Sequence, residues 1–274
     1  MYLKGVRKIK LTQNNYYGSK ASKEFMSVSQ YKQFLKCESM AMAELNGEYE
    51  RPQSQALLLG SFVDEMLTGT KKSQEKFIAE NTDKLFKKNG EPYADVQKAL
   101  DTIERVMQQP LMMKYLSGET QKIMTGEIAG VPFKIKMDSY KKGEFIADLK
   151  YMASLRSPNL FEPMVKYWNY VAQGAVYQEI VYQNTGERLP FYLVIATKET
   201  PAHLDVCEIK QYDLDEELDN IKKNVGRFQA IKNGEIEPER CEEYDCVYCT
   251  TTRILTEPID SNMLGMTRKG FFND

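Results

Sequence analysis

Between residues 118 and 150 the hydrophobic period of this chain changes from that of a helix to that of a strand. Val131, Phe133, Ile135 and Met137 alternate with Pro132, Lys134, Lys136 and Asp138. A period of two sends the first set to a core face and Lys134, Lys136 and Asp138 to the opposite one. Residues 121–128 and 144–150 read the same way, joined by Ala129-Gly130 and Lys141-Lys142-Gly143, so three consecutive strands are expected here. If the second and third form a hairpin about 141–143, Asp138 faces residues 146–148. Asp138, Asp148 and Lys150 then share one patch of one sheet face. Two carboxylates and an ammonium so placed make a divalent-cation site with a cationic neighbour. Alternation alone equally allows a solvent-facing hairpin with an ordinary surface Lys–Asp pair.

Around this hairpin the pattern is helical. Ser27 or Ser29 is placed to cap a helix running through Tyr31, Phe34, Leu35, Met40, Ala41 and Leu45. The apolar run 55–67 predicts a buried helix carrying Asp64 and Glu65 near its C-terminal end. Amphipathic segments follow at 71–87 and 93–116. A helix is expected over 162–184 with Gly186 as its stop and Trp168 as a core anchor. Strands are expected at 189–197 and 204–211, and a last helix at 214–232. This sums to one α/β domain over 1–274. Its parts are a basic arm (1–24), a helical region (25–117), a core with a central mixed sheet flanked by helices (118–235) and a cysteine-containing cap (236–274).

Charge and cysteine content bound the function. Lys and Arg number 37 against 39 Asp and Glu, which excludes a polybasic protein but permits a local nucleic-acid track. Lys4, Arg7, Lys8, Lys10, Lys20 and Lys23 precede the first acid, Glu24. The segment reads as a solvated terminus, or as an arm near phosphate with Tyr16 and Tyr17 available for stacking. With one histidine, His203, mechanisms built on histidine pairs drop out; a loop position is expected for it. No long apolar run or signal-peptide core appears, so no membrane and a cytoplasmic location are expected. Five cysteines in such a chain speak for metal binding or inert thiols rather than disulfides.

Asp138, nine residues, then Asp148-Leu149-Lys150 resembles the D…(D/E)-x-K signature of the PD-(D/E)XK nuclease superfamily. Gln173-Gly174-Ala175-Val176-Tyr177 is similar to the Q-x-x-x-Y motif of its RecB-like branch. Gly60 to Asp64 occupies the place of that branch's G-x-x-x-H, with aspartate for the histidine ligand. The order of S-x-S-x-Y-K-x-F at 27–34, G-x-P-x-K-x-K-x-D at 130–138, D-L-K and Q-x-x-x-Y resembles RecE-type recombination exonucleases of phages and prophages, over residues 25–255.

The resemblance implies a restriction-endonuclease-like core and ATP-independent, Mg²⁺- or Mn²⁺-dependent digestion of linear double-stranded DNA from its ends. Asp64 or Glu65 (Asp64 preferred), Asp138, Asp148 and the Leu149 carbonyl would hold the ion, and Lys150 would be catalytic. Gln173, Tyr177, Lys134 and Lys136 would support DNA binding, with Glu127 as a further carboxylate in reach. It also implies 5′-to-3′ polarity, a ring-forming homo-oligomer and a single-strand annealing partner. A catalytically inactive DNA-binding module and a structure-specific endonuclease remain the rival functions. Cys37 with Cys241-x₄-Cys246-x₂-Cys249 matches the early/late split by which some RecB-like nucleases bind a [4Fe–4S] cluster. The late spacing departs from C-x₂-C-x₅-C, and Zn²⁺ or free thiols are equally allowed. Cys207, on a strand, is expected in the core.

Overall fold

The structure is a computed structural model that describes residues 9–52, 54–256, 258 and 260–263. Leu3, Lys4, Arg7 and Lys8 of the basic arm, and the cap beyond residue 263, lie outside the described residues. Two compact units divide the chain. One comprises residues up to Arg51, Glu127–Phe133 and those from Lys222 on; the other comprises Pro52–Gly126 and Lys134–Ile221.

The second unit carries the sheet, apart from the strand residues that fall within Glu127–Phe133. Its helices are α4 (Gln55–Thr68), α5 (Lys71–Leu85), α6 (Ala94–Met107), α7 (Pro110–Leu116), α8 (Met164–Tyr167) and α9 (Tyr170–Thr185). The strands β1 (Glu119–Ile128), β2 (Val131–Lys141), β3 (Phe145–Met152), β4 (Phe191–Thr197) and β5 (Leu204–Ile209) stand in that spatial order. β2–β3 and β4–β5 pair antiparallel, and β3–β4 parallel, so the expected mixed sheet forms. The parallel pair needs a crossover, and residues 153–190 with α9 supply it.

Both faces of β3 are covered. Phe145, Ala147 and Leu149 join Val194 and Ala196 in a core with Phe62 and Val63 of α4, Ile103 and Val106 of α6, and Leu116 of α7. On the opposite face Ile146 and Asp148 are also buried. There α9 comes so close that a Cβ on Gly174 would stand 2.7 Å from Phe191 and from Leu214. Glycine is the residue that lets this helix approach the strand.

The first unit holds α1 (Ser19–Glu24), α2 (Val28–Lys36), α3 (Glu38–Asn46) and α11 (Val247–Thr251), with the C-terminal part of α10 (Gln211–Lys232). Ser27 caps α2 through its side chain, as expected. Three expected helices are broken. The first stops at Cys37, which is extended at φ −162° and ψ 111°. The segment 93–116 divides before Pro110, whose ring opens α7. The segment 162–184 divides at Asn169, whose left-handed φ of 50° interrupts the helix while its side chain caps α9. The basic arm is not all solvated chain: α1 forms within it and Tyr16 is buried, leaving Tyr17 as the exposed ring of the pair. Trp168 is 46% exposed rather than a core anchor, because it follows α8 at the break before α9. Cys207 is half-buried instead of in the core, and His203 lies in the loop before β5. Among the described residues no helix is long and apolar enough to cross a membrane.

Candidate active site

The β2–β3 hairpin pairs Ser139 with Ala147 and Tyr140 with Ile146, and one more step of that register sets Asp138 beside Asp148. The Leu149 amide donates to Asp138 Oδ2 at 2.9 Å, fixing that carboxylate across the strand pair. Asp148 forms an ion pair with Lys150 through Oδ2, and its Oδ1 accepts from the side-chain amide of Gln173. The patch expected from alternation therefore exists, and α9 closes over it. Tyr177, one turn beyond Gln173, is buried and donates to the Lys136 carbonyl at 2.9 Å. Its hydroxyl secures β2 rather than an open surface.

α4 adds the third carboxylate. Asp64 Oδ1 accepts from Thr68 Oγ1 at 2.9 Å, and Thr68 in turn accepts from Gln121 Nε2 at 2.8 Å. Burial raises the Asp64 pKa above the ordinary carboxylate value; the Thr68 hydrogen bond opposes this, and the charge of Asp148 adds to it. Asp138 is raised well above its ordinary value, first by burial and then by Asp148 and Asp64. Neighbouring Glu65 keeps Oε1 buried without a hydrogen bond.

Lys150 answers the opposite pull. Burial alone would lower its pKa, but Asp148 and Asp138 outweigh burial and hold it above its usual range. It is therefore an ammonium at neutral pH, with the Tyr170 ring 5.1 Å from Nζ. Lys136 is half-buried on β2. Lys134 is 3% exposed, and burial brings its pKa down to about 8, so it is not part of an open cationic track.

Asp64, Asp138 and Asp148, with Glu65 beside Asp64, outnumber the two ammonium groups that act on them, Lys150 and Lys136, and leave excess negative charge in a water-poor place. Asp148 Oδ2 is buried and has no hydrogen bond beyond its ion pair. Hard oxygen donors with unbalanced charge fit a small divalent cation such as Mg²⁺. The set is open: among the described residues, Cys37, Cys241, Cys246 and Cys249 are the ones whose ligand atoms all lie within 4.8 Å of one another. Thr68, Gln121 and Tyr170 have no place in the sequence motifs. Thr68 was findable as the residue one helical turn after Asp64; Gln121 and Tyr170 are brought in by tertiary packing.

Comparisons with known proteins bear on the fold and the family. No curated protein matches the chain. A solved structure of a candidate exonuclease from Eubacterium rectale superposes with a TM-score of 0.86 at 42% identity, covering 94% of this chain and all of that one. The family model described as a PDDEXK-like domain of unknown function (DUF3799) matches residues 27–252, and the chain belongs to that family.

Proposed function

We propose that this protein is a Mg²⁺-dependent, ATP-independent exonuclease acting on the ends of linear double-stranded DNA. The observation that carries the reading is the contact of Asp148 with both Lys150 and Gln173, beside Asp138, on one sheet face. The name of the E. rectale neighbour points the same way.

Asp64, Asp138 and Asp148, with the Leu149 carbonyl that the family resemblance adds, would hold the ion. When bound, it supplies charge neutralisation at the scissile phosphate and a more acidic water. Lys150, kept protonated by its two aspartates, orients the attacking water and balances charge developing on the phosphate oxygens. As an ammonium it offers a positive charge and N–H donors, and it is not a general base. Gln173 fixes the rotamer of Asp148, while Tyr177 fixes the β2 backbone at Lys136. The resemblance extends the reading to 5′-to-3′ digestion in phage-type recombination, a ring-forming oligomer and delivery of a 3′ overhang to an annealing protein.

End-labelled linear duplex with Mg²⁺ tests activity, end dependence and polarity together. Expected are release of nucleotides from linear DNA, sparing of a closed circle, and loss of activity in Asp148→Ala. Equal rates for wild type and Asp148→Ala would sink the assignment. Tight duplex binding without cleavage would favour a binding module, and cutting of the circle an endonuclease.

A further inference from the structure

The first unit contains a second group of potential ligands, unrelated in chemistry to the carboxylates. Cys37 stands where α2 and α3 break, and Cys241, Cys246 and Cys249 lie more than 200 residues on. In the folded unit Cys37 Sγ is 3.6 Å from Cys249 Sγ, and Cys241 Sγ is 3.7 Å from Cys249 Sγ. All four sulfurs lie within 4.8 Å of one another, and none is in a disulfide. A single tetrahedral Zn²⁺ with Zn–S bonds of about 2.3 Å requires sulfurs about 3.8 Å apart along each edge. A [4Fe–4S] cluster places four iron atoms between its thiolates and spreads them well beyond that separation. The cage is sized for one ion.

The surroundings suit a tetrathiolate. Backbone amides of Met40 and Cys241 hydrogen-bond Cys37, and those of Glu243 and Glu242 hydrogen-bond Cys241 and Cys249. Such N–H···S contacts orient thiolate ligands and spread their charge. Glu242 takes a positive φ of 54° within that turn, a conformation non-glycine residues hold only where the surroundings require it. Arg240 donates to the Cys249 carbonyl at 2.8 Å and brings a cation beside the group. Tyr49 and Tyr248 stack edge to face and pack on the buried cysteines, which limits solvent access. The extended backbone at Cys37 also acquires a cause: a continuous helix would carry its thiol past the other three.

We propose that Cys37, Cys241, Cys246 and Cys249 hold one structural Zn²⁺, which staples the α2–α3 break to the segment 241–249 and takes no part in phosphodiester cleavage.

Full-length protein purified anaerobically without chelator, analysed for metals and by absorption, tests this. Expected are one zinc per chain, no visible absorption, and release of that zinc as a thiol-directed mercurial titrates the ligand thiols. Co²⁺ in its place should show the intense visible bands of a tetrahedral thiolate site. Cys249→Ser should lose the zinc, whereas Cys207→Ser and Asp148→Ala should keep it, which separates this site from the carboxylate site. If Cys249→Ser does not fold, the wild-type titration still decides. Iron with visible charge-transfer bands, or folded protein with freely reacting thiols and no stoichiometric metal, would overturn the proposal.

Discussion

The side-chain amide of Gln173 donates to Asp148 Oδ1 and so couples α9 to the strand that carries the D-L-K motif. The other oxygen of Asp148 is held by Lys150, so the carboxylate has one orientation. Gln173→Ala frees it without touching the fold's core. The expected result is a loss of metal affinity or activity of roughly 10- to 100-fold, the usual scale for removing a group that orients a ligand. A rate-against-Mg²⁺ titration reads it: the half-saturating Mg²⁺ concentration should rise while the melting temperature stays within a few degrees. An unchanged Mg²⁺ dependence would mean that Gln173 is a bystander.

Lys150 has two separable consequences. In Lys150→Met the phosphate loses its charge partner, and cleavage should fall by about 10²–10³-fold. Asp138 and Asp148 also lose their compensating ammonium. Breaking a buried ion pair by removing one member costs about 3–5 kcal/mol, so the metal-free variant should melt well below wild type. Added Mg²⁺ should recover more stability in the variant than in wild type, because it replaces the missing cation. Calorimetry with and without Mg²⁺ measures both effects, and a variant as stable as wild type in chelator would contradict the burial argument.

Asp138 and Asp64 make metal-free stability depend on pH. Both have folded values above the ordinary 3.8. Between 3.8 and the raised values the folded chain binds more protons than the unfolded one. Stability in chelator therefore falls as pH rises through that window, and the penalty is absent below it. Mg²⁺ should flatten the slope, and its stabilising effect should grow from about pH 4 upward. Asp138→Asn keeps an acceptor for the Leu149 amide but removes one of the clustered charges. It should raise the melting temperature in chelator by about 2–4 °C, equivalent to ~1 kcal/mol in a chain of this size, while abolishing the Mg²⁺ effect. A lower melting temperature for Asp138→Asn in chelator would show that the charge cluster is not under electrostatic strain.

Thr68 offers a milder perturbation of the same site. Its hydroxyl links Asp64 to Gln121 on β1, so Thr68→Val removes one charge-assisted hydrogen bond, typically about 1.5–3 kcal/mol. The raised Asp64 pKa should climb further, and Mg²⁺ affinity should drop with little change in the rate at saturating metal. Loss of that saturating rate instead would assign Thr68 a more direct part.

Much of this site could be read from the chain because it depends on short-range geometry. A period of two and a three-residue turn are enough to pair Asp138 with Asp148, and an i,i+4 spacing is enough to place Gln173 and Tyr177 on one helix face. What could not be read depends on contacts distant in sequence. Nothing local stops the helix at Cys37; the break serves a thiol group whose other members lie beyond residue 240. Lys134 follows the polar phase of β2 yet is buried, because alternation specifies a face but not what covers it. Tyr177 likewise shares the expected face while its hydroxyl turns to the Lys136 backbone. Pro110 was a visible breaker, and the boundary before α7 follows from its missing amide.

Gly174 sits between the two motif residues of α9, and its lack of a side chain is a packing requirement. A methyl group there would meet the Phe191 ring and Leu214 at 2.7 Å, closer than side-chain contacts tolerate, and Phe191 is fully buried on β4. Gly174→Ala would gain helix propensity of about 1 kcal/mol, but overpacking a closed interface costs about 1–3 kcal/mol. The second effect wins because Phe191, pinned in the sheet, cannot yield. The helix must instead move away from β4 and carry Gln173 off Asp148. The variant should therefore combine a lower melting temperature with the raised half-saturating Mg²⁺ concentration expected of Gln173→Ala. A pairing with Phe191→Leu, which opens space beside residue 174, should restore part of both, and failure to restore either would locate the Gly174 effect elsewhere.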